Sequence, residues 1–170
     1  MTLILPDKLK RFIGDFEYVA ALAERERDLL REGGEIFRLA LCPDLLPEAF
    51  GRCDASRPKF FRLYADAFAR FVPASLALAP NQEGPVLPAA RWRMAGVLSG
   101  TVLRRAEGGA EATLTAGQME IARAGAAQFV NLSAVAPALM LFAFKPGDIA
   151  AFGFDNAPDT PPFDISAIEG

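Results

Sequence analysis

The sequence predicts a mainly β fold, a sandwich or a barrel, preceded by a helical N-terminal region. Six short apolar runs follow Pro73, and Pro, Gly, Asn or Asp residues separate them. Such spacing is typical of antiparallel sheets and not of alternating strand–helix units. Before that point, apolar residues recur at helical spacing against charged residues. With 170 residues, 52% of them hydrophobic, the chain suits a single domain with a sizeable core.

The N-terminal region is predicted to be helical up to about residue 55. Asp7 can cap a first short helix, and a second helix is expected over residues 17–31, where one face is charged. Gly33-Gly34 is expected to end this second helix. A third helix is expected over residues 35–41, and a short fourth one follows it between two prolines.

The region from about residue 59 to residue 149 is predicted to form the sheets. Residues 59–66 fit strand alternation and helical spacing equally well, so their type stays open. The strands expected after Pro73 are, in chain order, 75–78, 92–103, 110–114, 118–121, 129–132 and 138–144. Glycines between them suit tight turns. Residues 150–170, which include several prolines, are expected to form an extended C-terminal strap.

Composition and charge exclude several function classes. The formal net charge is -3 and the pI is about 5.1, so the basic surface that nucleic acids require is not expected. The N-terminus does not resemble a secretory signal, and no apolar run reaches the roughly 18 residues that span a bilayer. We therefore expect a cytoplasmic protein that binds neither nucleic acid nor a membrane. Cys42 and Cys53 are expected to be reduced thiols.

One run of the sequence has the frame of a metal-binding motif. It reads Pro80-Asn81-Gln82-Glu83-Gly84-Pro85-Val86-Leu87-Pro88-Ala89-Ala90-Arg91-Trp92 and is followed by Val97-Leu98-Ser99-Gly100. Without a gap, it resembles the first cupin motif of bacterial thiol dioxygenases of the cysteine dioxygenase family. The resemblance implies a cupin double-stranded β-helix, or jelly roll, that forms a barrel over residues 59–149 with the N-terminal helices packed outside it.

The same resemblance implies that the iron chemistry of the family has been lost. The two ligand histidines of the first motif fall on Leu87 and Ala89, and the third ligand falls on Gln128, in a run that ends at Asn131. The chain contains no histidine at all. Leucine and alanine have no side-chain donor atoms, and one amide cannot hold Fe(II). We therefore expect no metal, no cofactor and no thiol dioxygenase activity.

A pocket for an anion is a further implication of the resemblance. Arg62 matches the family arginine that grips the substrate carboxylate. Strand alternation places Arg93 on the inner face of the barrel, while Trp92 packs outward. Burial of an unpaired arginine costs several kcal/mol, roughly, so an inward Arg93 predicts an anionic partner. Alternatively, a bulge turns Arg91 or Arg93 to solvent, or an acid from a neighbouring strand pairs with it.

The candidate site combines cationic, polar and apolar side chains. By the same alternation, Leu87, Ala89 and Arg91 should share the inner face with Arg93. The strand that ends at Phe144 should supply further apolar walls. The candidate ligand-binding residues are Arg62, Arg93, Gln128, Asn131, Leu87, Ala89, Met140, Phe142 and Phe144.

Three functions remain open at this point. The first is a metal-free cupin that binds a small anionic or partly apolar ligand and carries no catalytic residue. The second is a metal-independent lyase or isomerase on the same scaffold, for which fold analogy is the only warrant. The third is a purely structural homodimer, because exposed sheet edges need to be covered. The expected partners are therefore a small anion or a second copy of the chain.

Overall fold

The computed structural model describes residues 6–155, in which two helices precede all of the strands. Helix α1 spans Asp7–Leu22 and helix α2 spans Glu26–Leu39, and a short 3-10 helix follows at Glu48–Gly51. The strands are β1 Lys59–Arg62, β2 Val72–Leu78, β3 Ala90–Ser99, β4 Thr101–Ala106, β5 Glu111–Thr115, β6 Met119–Ala122, β7 Ala127–Asn131 and β8 Ala138–Pro146.

The strands form two antiparallel sheets. One has five strands in the order β1-β2-β8-β3-β6, and the other has three in the order β5-β4-β7. This jelly-roll-like arrangement confirms the predicted mainly β fold with N-terminal helices. Of the ambiguous segment 59–66, residues 59–62 form a strand.

The prediction of a closed barrel is wrong, because the two sheets do not join into one. Between residues 6 and 155, no ladder connects a strand of one sheet to a strand of the other. The chain instead passes from β3 to β4 through a sharp corner at Gly100, whose φ is +90°. A side chain there would approach the carbonyl oxygen of Pro137 to 2.9 Å, so glycine fits the corner both conformationally and sterically.

The five-stranded sheet is covered on both faces, which explains why β8 is apolar along nearly its whole length. Its outer face packs on the helices, where the ring of Trp92 lies 6.1 Å from that of Phe16 between centroids. The outward direction predicted for Trp92 is therefore confirmed. Its inner face meets the three-stranded sheet in a second core that contains Val97, Phe129 and Phe142.

The predicted helix end at Gly33-Gly34 is wrong, because α2 continues through both glycines to Leu39. Both glycines are buried at close contacts. A Cβ at Gly33 would lie 3.0 Å from the ring of Phe16, and one at Gly34 would lie 3.2 Å from Ile121. Close packing of the helix favours glycine at both positions, because a Cβ would force these side chains to shift. The helical region is interrupted earlier, between α1 and α2, inside the span that was predicted to be one helix.

The prediction of an extended C-terminal strap is wrong where the structure describes a 3-10 helix, and its remaining part lies outside the described residues. After β8, a 3-10 helix forms at Ile149–Phe152 where extended chain was expected. Its Phe152 is buried and stacks on Phe144 at 4.5 Å between ring centroids, so aromatic packing stabilises the turn. The rest of the predicted strap, residues 156–170, lies outside the described residues. In the described part of the chain, no helix is long and apolar enough to cross a membrane.

Candidate functional site

The interior between the sheets is occupied by aromatic side chains. The ring of Phe142 lies 5.3 Å from that of Phe129 and 6.0 Å from that of Phe60, measured between centroids. Leu87, Met140, Phe142 and Phe144 do lie in one core, as the sequence predicts for the pocket walls. These side chains pack against one another and against Phe129 and Phe60. The interior is therefore a packed core where an open cavity was expected.

The start of β3 does not keep the alternation that the motif implied. A β-bulge lies between Ala90 and Trp92, and it leaves Ala89 and Arg91 exposed. The inner-face prediction is therefore wrong for these two residues, and the buried neighbour is Ala90. Arg91 donates from Nε to Glu26 of α2 at 2.6 Å. An extra residue in one strand reverses the side-chain direction, which is why the simple period of two fails at this point.

The third ligand position is also displaced. Ala127 and Phe129 both belong to the inner core, so the residue between them, Gln128, faces the other side of β7. Its Nε2 donates to the carbonyl oxygen of Gly84 at 2.9 Å. The prediction that Gln128 binds a ligand in the interior is therefore wrong. Ala127 is the neighbouring residue that faces inward.

Asn131 is inward and buried, but its hydrogen bonds are used by the backbone. Its Nδ2 lies 3.3, 3.1 and 2.8 Å from the carbonyl oxygens of Leu78, Ala79 and Ala136. Its Oδ1 accepts the backbone N–H of Ser133 at 2.9 Å. The side chain fixes the loop after β7 and has little hydrogen-bonding capacity left for a ligand.

Arg62 lies apart from the other candidate residues. It pairs in register with Ala74 of the inner core, so it shares the inner face of the five-stranded sheet, and it is half-buried. Its Nε donates to the carbonyl oxygen of Tyr64 at 3.3 Å, and burial lowers its pKa. Three strand spacings separate β1 from β3, about 14 Å, so Arg62 and Arg93 do not converge on one small ligand.

Arg93 is the predicted site residue that meets a cavity. It lies opposite Phe144 in the sheet, only 4% of its surface is exposed, and it faces inward, which is one of the two directions that the sequence left open. Its Nη1 donates to the carbonyl oxygen of Gly125 at 3.3 Å, whereas its buried Nε has no acceptor. Burial lowers the pKa of Arg93, and the nearby carboxylate of Glu120 partly offsets this effect.

The cavity beside Arg93 has a volume of about 230 Å³ and lies between the edge strand β6 of the five-stranded sheet and the C-terminal end of β4. An ion pair lines it, between Arg104 of β4 and Glu120 of β6. The loop that follows β6 closes one side, and both Ala124 and Gly125 in it have positive φ, +60° and +85°. This backbone is strained at Ala124, and it aims the carbonyl of Gly125 at Arg93.

Neither Arg104 nor Glu120 is among the candidate residues that the sequence predicts. Glu120 and Arg104 meet only because of how their strands pair, each within its own sheet. Glu120 lies opposite Ala95 in the five-stranded sheet, and Arg104 lies opposite Phe129 in the three-stranded sheet. The available signal was local: Glu120 alternates with Met119 and Ile121, so a strand here places the carboxylate on the opposite face from these two apolar side chains.

The chain matches no protein-family model and no curated protein. Among solved structures it is similar to TT1209 from Thermus thermophilus, with 26% identity over 58% of this chain and 92% of that one, at a TM-score of 0.49. It is also similar to the Cupin_2 domain of an XRE family transcriptional regulator from Enterobacter cloacae, with 20% identity over 56% and 100% of the two chains and a TM-score of 0.48. A protein with a double-stranded β-helix domain from Klebsiella pneumoniae matches with 20% identity over 66% and 94% and a TM-score of 0.48. All three TM-scores lie below 0.5, so the site assignment depends on the residues of this chain.

No group of three His, Cys, Asp or Glu residues within residues 6–155 is placed to hold a metal ion. Introducing histidine at Leu87, Ala89 and Gln128 together is not expected to create such a site. Ala89 is exposed and Gln128 faces away from Leu87, so three imidazoles cannot reach one ion. Elemental analysis of the triple variant after incubation with Fe(II) and with zinc checks this. One bound metal per chain would contradict these side-chain directions.

Proposed function

We propose that the protein binds a small anion on a metal-free jelly-roll scaffold of the cupin type, and that it does not oxidise thiols. The observation that carries this proposal is the burial of Arg93 without an acidic partner. No carboxylate among the described residues lies within 4.0 Å of its guanidinium group, and its Nε has no acceptor. The nearest acid, Glu120, is already paired with Arg104.

The free-energy cost of burying Arg93 without a charged partner supports the proposal of a bound anion. An unpaired buried charge destabilises a fold by several kcal/mol, roughly, and a bound anion offsets that cost. The cavity that Arg93 lines supplies the space. Anion binding therefore gives a physical reason for an arginine that otherwise only weakens the protein.

The positions that would hold iron support the absence of oxidation chemistry. Leu87 and Ala127 face the inner core and have no donor atoms in their side chains. Phe142 and Phe144 fill the space beside them. Binding without redox chemistry is the function that these side chains favour.

Arg93→Met is expected to weaken binding of a small carboxylate such as acetate by about tenfold or more, because a charge-assisted hydrogen bond contributes roughly 1.5–3 kcal/mol. Arg27→Met is the matched control, since Arg27 is exposed on α2, and it should leave binding unchanged. Titration calorimetry measures both affinities. The free Arg93→Met protein should melt no lower than wild type, which separates lost binding from lost folding. Equal binding by the two variants contradicts the proposal and favours the structural homodimer.

A further inference from the structure

We infer that Glu120 is an internal counter-ion that competes with the bound anion for the two cavity arginines, and that it thereby lowers the preference of the site for a dianion over a monoanionic carboxylate. This inference rests on the proposed function, because it concerns the anion at Arg93. It assigns Glu120 a role in selectivity that is separate from holding the ligand.

The ion pair of Glu120 crosses the cavity from one sheet to the other. Arg104 donates from Nε to both carboxylate oxygens of Glu120, at 2.9 and 3.1 Å. The two side chains are 19% and 21% exposed, so solvent screens the pair only in part. A second donor of Arg104, Nη1, is held by the carbonyl oxygen of Ala110 at 3.1 Å. Arg104 is therefore fixed in place and already largely neutralised.

One edge of the Arg93 guanidinium group has no hydrogen-bond partner among the described residues, and its Nε is buried. Its Nη1 is used by Gly125, whereas Nε and Nη2 have no hydrogen-bond acceptor in the described part of the chain. These two nitrogens form the side of the group that donates two parallel hydrogen bonds. The two oxygens of a carboxylate match that spacing.

The charges of the cavity favour an anion with a single charge. Arg93 and Arg104 contribute two positive charges and Glu120 removes one, which leaves an excess of one. Glu107 also lines the cavity, but it is exposed at the rim and accepts the backbone N–H of Ala126 at 3.1 Å. Repulsion by Glu120 and attraction by the two arginines are both proportional to the charge of the ligand. Glu120 therefore opposes a dianion about twice as strongly as a monoanion and offsets part of the attraction that the arginines add for a second negative charge.

The size of the cavity further narrows the ligand class. A volume of about 230 Å³ corresponds to about eight water molecules, at about 30 Å³ each. A carboxylate of a few carbon atoms fits this space. Acetate is therefore a suitable probe, and malonate is the matching dianion at neutral pH.

Glu120→Gln keeps a hydrogen-bond acceptor for Arg104 and removes the negative charge. We expect it to tighten acetate binding about fivefold and malonate binding about 25-fold, since the gain in binding free energy doubles with ligand charge. Titration calorimetry at constant ionic strength measures both. The control is Glu83→Gln, because Glu83 forms a comparable pair with Arg105 at 3.2 Å but does not line the cavity.

The possible outcomes distinguish anion binding at Arg93 from the counter-ion role of Glu120. The free Glu120→Gln protein should melt lower than wild type, so tighter binding by a less stable protein cannot result from structural damage. Glu120→Asp retains the charge and should bind acetate within about twofold of wild type. If Glu120→Gln leaves both affinities unchanged while Arg93→Met weakens them, the counter-ion inference is wrong and anion binding stands. If neither wild type nor Glu120→Gln binds either anion, both are wrong.

Discussion

Phe142→Ala is expected to lower the free energy of unfolding by about 3–5 kcal/mol, the usual cost of deleting a buried phenylalanine ring. Phe142 is fully buried, and its ring meets those of Phe129 and Phe60 edge-on at 5.3 and 6.0 Å between centroids. Both the lost transfer free energy and the new void contribute, because the two covered faces of β8 leave the neighbours little freedom to relax. Denaturant unfolding monitored by circular dichroism measures the difference.

Phe68→Ala is the matched control for this truncation. Phe68 is 78% exposed, and its ring stacks only under the guanidinium of Arg70 at 5.0 Å. Its removal should cost no more than about 1 kcal/mol. A comparably small loss for Phe142→Ala would indicate an open interior, and it would return the predicted pocket to the space between the sheets.

The filled interior explains why the cavity that we propose for the anion lies beside the core and not within it. The resemblance to thiol dioxygenases predicts a ligand-binding site in the interior of the jelly roll. In this chain that interior contains phenylalanine rings in contact, and the polar residues Arg93, Arg104 and Glu120 gather beside it. Aromatic packing thus stabilises the scaffold, while the cavity at the edge keeps the charged groups partly hydrated.

The general architecture could be predicted because it depends on signals that are local in sequence. Short apolar runs between turn residues indicated most strand regions from residue 72 onward, and five of the observed strands fall within a few residues of them. The run expected over residues 92–103 is instead divided at Gly100 into β3 and β4, which belong to different sheets. Gly33-Gly34 shows the limit of such signals. A pair of glycines is a typical helix end, yet here close contact with Phe16 and Ile121 favours this pair inside a helix.

The candidate site was less predictable because it depends on side-chain direction and on strand pairing. One bulge between Ala90 and Trp92 turned Ala89 and Arg91 outward and left Arg93 inward. Motif alignment placed Gln128 at a ligand position, although strand alternation from the buried Asn131 leads to Ala127. The pairing of Arg104 with Glu120 joins two sheets, and no sequence spacing encodes it.

Asn131→Ala is expected to lower the free energy of unfolding by about 2–4 kcal/mol, because it leaves buried backbone groups without partners. The side chain is 1% exposed and contacts the carbonyl oxygens of three residues on two loops. Denaturant unfolding is the measurement. Gln128→Ala is the control, since that amide holds a single backbone carbonyl, and its loss should cost about 1 kcal/mol.

The same pair of variants distinguishes a structural asparagine from a ligand-binding one. If Asn131 only fixes the loop that follows β7, acetate binding by the folded Asn131→Ala protein should stay within about twofold of wild type, because no hydrogen bond to the anion is lost. Weaker binding by tenfold with little change in stability would contradict this role. It would place the anion deep between the sheets, next to Leu78 and Ala79, and would argue against the cavity beside Arg93 as the site.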